Sequence, residues 1–185
     1  MSEFRSVPAA QFSPLFDRIG KDWMLISAAD DEAESGPRVN SMTASWGCFG
    51  VLWGKRVAVC FIRPQRYTFA ITERARQLSL AFFDRDFRSA LAYMGAHSGR
   101  DEDKYLATGL TMLRAENGTP FPAQARMVLL CRQLYAGRLQ ESAFLDPSLI
   151  LENYPAKDFH QMYICEIEQV MVRNETSEEH TTDQV

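Results

Sequence analysis

The stretch KRVAVCFIRPQRYT, residues 55–68, joins two kinds of sequence at a proline. Its first eight residues are a nearly continuous run of apolar and β-branched side chains, which predicts a strand buried on both faces. Pro64 then redirects the chain. A proline commonly opens a helix, so we expect residues 65–76 to be helical. The stretch therefore predicts a buried strand that ends in a cationic corner at the start of a helix.

Further strands are expected on both sides of this stretch, and the helices between them are short. Strand patterns occupy residues 22–28, 77–83, 111–114, 125–139 and 161–173. Helical patterns occupy residues 86–97 and 101–108, with shorter ones before Gly20 and at 146–152. Because strands do not alternate with long helices, a doubly wound parallel sheet is disfavoured. The expected fold is mainly β with inserted helices, an antiparallel barrel of six or seven strands.

Composition restricts the class of protein. The 185 residues suit one domain, expected over residues 1–174, and the polar residues 175–185 predict a flexible tail. A net charge of −4 argues against a general nucleic-acid binder. No apolar run approaches the roughly 20 residues of a membrane helix, and the first residues lack an apolar signal segment. We expect a cytoplasmic protein that binds neither nucleic acid nor membrane.

The cysteines and histidines predict no metal site, because they form no C-x-x-C pair and the histidines lack partners at ligand spacing. Cys60, Cys131 and Cys165 lie in strand-like runs and are expected to be buried, reduced thiols. The chain also lacks a nucleophile elbow, a Walker loop and a G-x-G-x-x-G motif.

The segment SGRDEDK, residues 98–104, is suited to a phosphate group. Ser98 and Asp101 have the spacing of a capping box, and a helix start presents free N–H groups to an anion. Gly99 allows close approach, while Arg100 and Lys104 are one helical turn apart and can share a face. The alternative is a capped surface helix whose charges are solvated.

The corner at residues 63–68 is the second candidate. Arg63, Arg66 and Thr68 bring two cations and a hydroxyl to one turn, and Tyr67 can pack flat on an aromatic ligand. An exposed strand-to-helix corner explains the same residues equally well. The third candidate, NSMTASWG at residues 40–47, has small side chains that let a ligand approach the backbone, and Trp46 can cover an apolar face. Its alternative is a wide turn with Trp46 in the core.

Taken in order, these segments resemble the flavin reductase-like family of FMN-binding split β-barrels. The resemblance extends over residues 8–173 and includes Asp158, Phe159, His160, Met162, Tyr163, Glu166 and Ile167 before the tail. It implies an antiparallel split barrel of Greek-key type that binds FMN, and a homodimer with the flavin near the subunit interface.

The resemblance also implies roles for individual residues. Those expected to line the flavin ring and ribityl chain are Met42, Thr43, Ala44, Ser45 and Trp46, and Asn40 before them is also expected to bind the cofactor. Those expected to hold the phosphate are Arg63, Arg66, Tyr67, Thr68, Ser98, Gly99, Arg100 and Lys104. His160 matches a position near the flavin or nicotinamide.

The expected function is that of an FMN-dependent oxidoreductase, in which NADH or NADPH passes hydride to the flavin and electrons continue to a small-molecule or protein acceptor. Such chemistry belongs to the cofactor and requires no catalytic acid, base or nucleophile from the chain. An FMN-binding electron carrier or sensor without nicotinamide turnover remains open. A structural barrel that has lost its flavin is a third alternative, and the presence of Thr68, Arg100 and Lys104 argues against it.

Overall fold

The structure is a computed structural model that describes residues 18–34 and 38–173. Its strands are β1 Met24–Asp30, β2 Arg38–Ala44, β3 Gly47–Leu52, β4 Lys55–Ile62, β5 Gln77–Phe82, β6 Met112–Arg114, β7 Pro120–Pro122, β8 Met127–Arg138 and β9 Gln161–Val172. Its α-helices are α1 Tyr67–Thr72, α2 Arg88–Ala96, α3 Lys104–Thr108 and α4 Ser148–Asn153, and 3₁₀ turns occupy Arg85–Phe87 and Glu141–Ala143.

Seven strands form one antiparallel sheet in the order β2-β1-β5-β8-β9-β4-β3. β2 and β3 are its two edge strands, yet only Ser45 and Trp46 separate them in sequence. A flat sheet of seven strands would place its edges about 29 Å apart, whereas three peptide links reach at most about 11 Å. The sheet must therefore curl until its edges meet. The predicted antiparallel barrel is confirmed, with seven strands.

The core lies on both faces of this curled sheet. One cluster fills the barrel interior and takes residues from six strands, among them Met24, Met42, Cys60, Leu80, Leu129 and Tyr163. A second cluster packs the outer face of β1, β5 and β8 against α2 and includes Leu25, Ala81, Leu91, Met94 and Leu130. Because successive residues of β1, β5 and β8 face opposite clusters, these strands carry nearly continuous apolar sequence.

A glycine is required where the chain passes from one sheet edge to the other. A Cβ on Gly47 would lie 2.7 Å from the carbonyl oxygen of Val59 and 3.4 Å from Cε of Met24. Contacts that short force the backbone to move, so only glycine permits β3 to begin so close to β4. This close approach fixes the start of β3 beside β4, next to the site described below.

Several predicted elements differ from the structure in length. The helix expected over residues 65–76 is limited to α1, because Arg66 N–H bonds to Arg63 O in a turn that precedes it. The polar stretch before Trp46 is a continuous strand, β2, and the exposed strand β3 has no counterpart in the prediction. Gly109 ends α3 in the left-handed region, at φ 68°, as expected.

Residues 18–20 are helical and end at Gly20, as predicted, while the earlier part of that predicted helix and the tail at 175–185 lie outside the described residues. No helix in the described ranges combines the length and apolarity needed to cross a membrane. Cys60, Cys131 and Cys165 are buried free thiols, as predicted, and Cys48 is an exposed free thiol on β3.

Candidate functional site

Two adjoining cavities at the barrel closure bring the three predicted segments together. The first, the Thr68 cavity, has a volume of about 120 Å³ and is lined by Asn40, Met42, Gln65, Arg66, Tyr67, Thr68, Met94, Ala96, His97, Ser98, Gly99 and Lys104. The second, the Trp46 cavity, has a volume of about 220 Å³ and is lined by Met42, Thr43, Ala44, Ser45, Trp46, Phe61, Arg63, Arg66 and His160. Met42 and Arg66 border both cavities, which therefore form one bipartite site.

The three segments meet at Asn40. Its side-chain amide donates to the hydroxyl of Thr68 across 2.8 Å, and both residues are buried. Gly99 packs against the other side of the amide, because a Cβ on Gly99 would lie 2.4 Å from Asn40 Oδ1 and 3.2 Å from Cδ1 of Tyr67. The absence of a side chain at Gly99 is therefore what allows the loop after α2 to close on β2 and α1.

Two cations border the Thr68 cavity. Arg66 donates to the carbonyl oxygen of Gly95 across 2.7 Å, which fixes its guanidinium between the two cavities. Lys104 is only 4 % exposed and donates to the carbonyl oxygens of Ser41 and Met94 at 2.7 and 3.0 Å. Burial lowers the pKa of Lys104 to about 8, and the charge of Arg66 lowers it further, while Glu102 opposes the shift. Two neighbouring cations in so small a space favour an anion.

A buried hydroxyl network supports Lys104 from behind. Ser41 lies 2.5 Å from the hydroxyl of Ser27, and its Oγ also hydrogen-bonds the hydroxyl of Tyr105. Burial raises the pKa of Tyr105 to about 12, so this phenol stays protonated at neutral pH. Every buried side-chain nitrogen or oxygen atom in the described part of the chain has a hydrogen-bond partner. The network therefore holds α3, and with it Lys104, against β1 and β2.

The predicted capping box is wrong. Residues 98–101 form a turn, in which Asp101 N–H bonds to Ser98 O. The helix begins at Lys104 instead, because the carboxylate of Asp103 accepts the N–H groups of Tyr105 and Leu106. Arg100 therefore lies outside the helix and shares no helical face with Lys104. With five residues, α3 is too short for its N-terminus to act as an anion site. Side chains and loop backbone therefore form this part of the site.

Arg100 nevertheless reaches the predicted corner. Its guanidinium donates to the carbonyl oxygen of Gln65 across 3.1 Å and lies 5.0 Å from the centre of the Tyr67 ring. Its own N–H bonds to Ser98 Oγ at 3.2 Å. Arg100 is the one predicted cofactor-binding residue that lines neither cavity. It lies on the far side of Tyr67, which lines the Thr68 cavity.

Arg63 borders the Trp46 cavity and not the Thr68 cavity. Its guanidinium donates to Asp158 Oδ2 at 2.5 Å and to the carbonyl oxygen of Asn153 at 2.8 Å, and lies 5.2 Å from the centre of the Tyr154 ring. The Arg63 guanidinium in turn holds the pKa of Asp158 below its usual range. Arg63 thus anchors the segment before β9, which carries His160, to the end of β4.

Aromatic rings surround His160 at the Trp46 cavity. Its ring centre lies 4.9 Å from that of Trp46 and 6.4 Å from that of Phe61, and its Nδ1 lies 2.9 Å from the hydroxyl of Tyr154. His160 is 8 % exposed, and burial lowers its pKa to about 4. The charges of Arg63 and Arg66 lower this pKa further, while the charge of Asp158 raises it. The imidazole is neutral at physiological pH. Its Nε2 makes no hydrogen bond within the described residues.

Some lining residues were not predicted. Phe61 was assigned only to the strand, although the alternation of β4 places it on the face opposite Cys60 and Ile62. His97 follows the end of α2. Its ring stacks on Tyr93 at 3.8 Å between centres and its Nδ1 lies 2.5 Å from Glu102 Oε1, while the residue lines the Thr68 cavity. The only sequence signal for these two residues is their position: Phe61 lies two residues before Arg63, and His97 lies one residue before Ser98.

The two halves of the site differ in chemistry. The Thr68 cavity presents cations, an amide and hydroxyl groups, whereas the Trp46 cavity presents aromatic rings, small side chains and a neutral imidazole. Buried cations favour an anion, and a ring-lined cavity favours a flat, partly apolar group. The site therefore suits a single ligand that carries both, with the junction at Met42 and Arg66.

Comparisons with known proteins identify the family of the chain. The model of the flavin reductase-like domain family matches residues 16–184, which is nearly the whole chain. Among curated proteins, none matches the sequence significantly.

Several solved structures share the fold. An FMN-binding protein from Thermus thermophilus, solved with bound p-hydroxybenzaldehyde, is 20 % identical with a TM-score of 0.63, over 94 % of this chain and 82 % of that one. Flavoredoxin from Desulfovibrio vulgaris is 19 % identical with a TM-score of 0.62, over 82 % and 69 %. An NADH:FAD oxidoreductase from Streptomyces globisporus is 11 % identical with a TM-score of 0.60, over 91 % and 87 %. At these identities the likeness establishes the split-barrel fold alone.

Proposed function

Because the chain belongs to the flavin reductase-like domain family, we propose that it is an FMN-binding oxidoreductase of the flavin reductase type. The observation that carries the proposal is the junction at Met42 and Arg66, where a cationic cavity meets an aromatic one. FMN is a dianionic phosphate joined to a flat ring, and the two cavities match these parts in that order. When bound, FMN supplies the redox chemistry, taking hydride from NADH or NADPH and passing electrons to an acceptor.

The Thr68 cavity is proposed to hold the phosphate. Arg66 and Lys104 supply charge, and the lack of a side chain at Gly99 lets its loop pack against Asn40 at the wall of the cavity. Arg100 adds a guanidinium at the edge of this cavity. The complete set proposed for this end is Arg66, Tyr67, Thr68, Ser98, Gly99, Arg100 and Lys104. A charge-assisted hydrogen bond is stronger than a neutral one, so these cations are expected to provide most of the phosphate affinity.

The Trp46 cavity is proposed to receive the ring and the ribityl chain. Its proposed lining set is Met42, Thr43, Ala44, Ser45, Trp46, Arg63 and His160, with Phe61 added by the structure. Asn40 is proposed to bind the cofactor from the Thr68 cavity. Small residues of β2 let the backbone approach the ring, and the aromatic side chains exclude water from it. Neutral His160 presents Nε2 as a hydrogen-bonding group without adding charge. These residues position and shield a cofactor, and none of them needs to act as an acid or base.

A homodimer with the site near its interface is proposed as the working form. β3 is an edge strand, and Val51, Leu52 and Trp53 at its end expose 77 %, 38 % and 60 % of their surface. An exposed apolar edge of this kind marks an interaction site. Trp46 precedes the other end of β3, so a partner that pairs along the whole edge would reach the Trp46 cavity. Light scattering is expected to give a dimer that Val51→Lys converts to a monomer, and a monomeric wild type would oppose the proposal.

A cytoplasmic location is proposed as well. All four cysteines are free thiols, and reduced thiols are typical of that compartment.

Anaerobic reduction tests the proposed reaction. The purified protein, loaded with FMN, is mixed with NADH or NADPH while flavin absorbance near its visible maximum is followed. Rapid bleaching with either nucleotide supports the proposal. One oxidised nicotinamide nucleotide measured per reduced flavin confirms the stoichiometry. A flavin that stays oxidised with both nucleotides, yet is reduced by dithionite, contradicts the reductase activity. It would favour the alternative, an electron carrier or sensor that binds FMN without nicotinamide turnover.

A further inference from the structure

A third cavity lies at the other end of α2 from the Thr68 cavity. It has a volume of about 620 Å³, which lies within the range of small-molecule sites. Two buried apolar residues, Phe83 and Leu91, line it, and the remaining lining residues are all charged: Lys21, Asp22, Asp84, Arg85, Arg88 and Arg126. We refer to it as the Arg126 cavity. None of its residues borders the Thr68 or Trp46 cavity.

The Arg126 cavity is cationic in an acidic protein. Four basic and two acidic residues line it, so its local formal charge is +2 (4 − 2), whereas the whole chain carries −4. Arg126 Nε lies 3.2 Å from Asp84 Oδ1, and Arg88 donates to the carbonyl oxygens of Lys21 and Asp22. These contacts hold two guanidinium groups in place in the lining of the cavity. Guanidinium groups bind phosphate oxygens with well-defined geometry.

Strand register places this cavity on the rim of the barrel where β2 ends, next to Ser45 and Trp46 of the Trp46 cavity. Four strand ends lie side by side there, because Ala44 of β2 pairs with Met24 of β1 and Phe82 of β5 pairs with Met127 of β8. β1 and β5 are neighbours through Leu25 and Ala81. Neighbouring strands are about 4.8 Å apart, so three spacings put the end of β2 about 14 Å from the start of β8.

A fourth cavity fills the gap between these two. It has a volume of about 450 Å³ and is lined by Ile19, Gly20, Ser45, Trp46, Gly47, Cys48 and Phe49. It shares Ser45 and Trp46 with the Trp46 cavity, and Gly20 directly precedes Lys21 of the Arg126 cavity. The rim therefore carries a series of cavities that begins with aromatic residues, continues over apolar ones and ends in a cationic cluster.

We propose that this rim binds the nicotinamide donor, with the phosphate-bearing adenosine end of NADPH in the Arg126 cavity and the nicotinamide end toward the Trp46 cavity. This inference rests on the proposed function, since it deepens that function by naming the donor and its seat. A series of cavities that extends over about three strand spacings, about 14 Å, suits an elongated ligand such as a dinucleotide. The excess of two positive charges suits the 2′-phosphate that distinguishes NADPH from NADH.

The test combines donor kinetics with a binding probe that needs no hydride transfer. The variant Arg85→Ala/Arg126→Ala removes two cations whose side chains lie at the surface, and Arg114→Ala, at the opposite end of β1 beside Asp31, is the matched control. In the double variant we expect KM for NADPH to rise at least ten-fold, with little change in kcat, in KM for NADH or in FMN affinity. Arg114→Ala is expected to match the wild type in all four quantities.

Calorimetry with adenosine 2′,5′-bisphosphate separates this inference from the proposed function. Binding to the wild type that is lost in the double variant supports the Arg126 cavity as a nucleotide site, even where neither nucleotide reduces the flavin and the reductase proposal itself fails. Two results overturn the inference: no bisphosphate binding to the wild type, or equal bisphosphate affinity and equal KM for NADPH in the wild type and the double variant.

Discussion

Asn40 on β2 donates its side-chain amide to Thr68 on α1 across 2.8 Å, in a buried hydrogen bond that joins two of the three segments of the site. Gly99 completes the junction, because it packs on the same amide. The Thr68 cavity is therefore shaped by contacts between residues far apart in sequence. The geometry of the Thr68 cavity depends on Gly99 as well as on the cations.

The first prediction concerns that glycine. Gly99→Ala would place a methyl group 2.4 Å from Asn40 Oδ1, which must move and so breaks the Asn40–Thr68 hydrogen bond. Overpacking of this kind costs about 1–3 kcal/mol, so FMN affinity is expected to fall about ten-fold or more. Fluorescence titration measures it. Gly50→Ala is the control, since nothing lies within 4 Å of a Cβ there. Equal affinities in the two variants would contradict this account of the cavity.

The second prediction concerns Arg100, which reaches the site across Tyr67. Arg100→Ala is expected to weaken FMN about ten-fold and to leave riboflavin affinity nearly unchanged, because a guanidinium–phosphate hydrogen bond contributes about 1.5–3 kcal/mol. Arg114→Ala, which removes an arginine paired with Asp31 on the surface, should alter neither ligand. An equal loss of FMN and riboflavin affinity would assign Arg100 to the ring or to folding instead of the phosphate.

The third prediction uses the lowered pKa of Lys104, which is about 8. A phosphate dianion stabilises the charged amine, so FMN affinity should be highest below pH 8 and should fall several-fold as pH rises through that value. The phosphate itself titrates near pH 6 and stays a dianion in this window. Dissociation constants at pH 7 and 9.5 test this for the wild type and for Lys104→Met.

Riboflavin, which has no phosphate, is the internal control. Its affinity should not follow the Lys104 titration, and Lys104→Met should show a flat FMN profile with a circular dichroism spectrum like that of the wild type. A wild-type FMN affinity that does not change between the two pH values would show that Lys104 does not contact the phosphate.

The fourth prediction concerns His160, whose pKa is lowered to about 4 by burial and by the nearby arginines. An imidazole with that pKa is neutral throughout pH 5.5–7.5 and contributes no titration there. Flavin reduction by the preferred nucleotide should therefore be nearly independent of pH in this range. His160→Gln keeps a polar group beside Tyr154 and should show the same flat profile. A wild-type inflection near pH 6.5 that disappears in His160→Gln would refute a neutral His160.

How far the sequence predicts this molecule depends on the range of the interactions involved. β4 was predicted with its observed bounds, because a run of buried apolar residues is a local signal. β2 was not recognised as a full strand, because Ser41 is buried beneath α3, where it bonds Ser27 and Tyr105, which are 14 and 64 residues away. A buried polar residue looks like a loop residue until its distant partners are known.

The same reasoning applies to the start of α3. Ser98 and Asp103 are both good N-cap residues, and local sequence does not rank them. Asp103 caps the helix because its carboxylate accepts two N–H groups, while the turn at Ser98 lets Gly99 reach Asn40. The residues of the site were thus predictable by type, whereas the position of Arg100 outside the helix depended on the tertiary fold.

Binding of FMN to the purified protein is the measurement that tests the central claim most directly. FMN is added stepwise while tryptophan fluorescence and the visible flavin spectrum are followed in the wild type and in Trp46→Phe. The account predicts saturable binding with a dissociation constant of about 1 μM or below, with quenching that is much reduced in Trp46→Phe. A wild-type spectrum that shows no saturable change up to high micromolar FMN would contradict it.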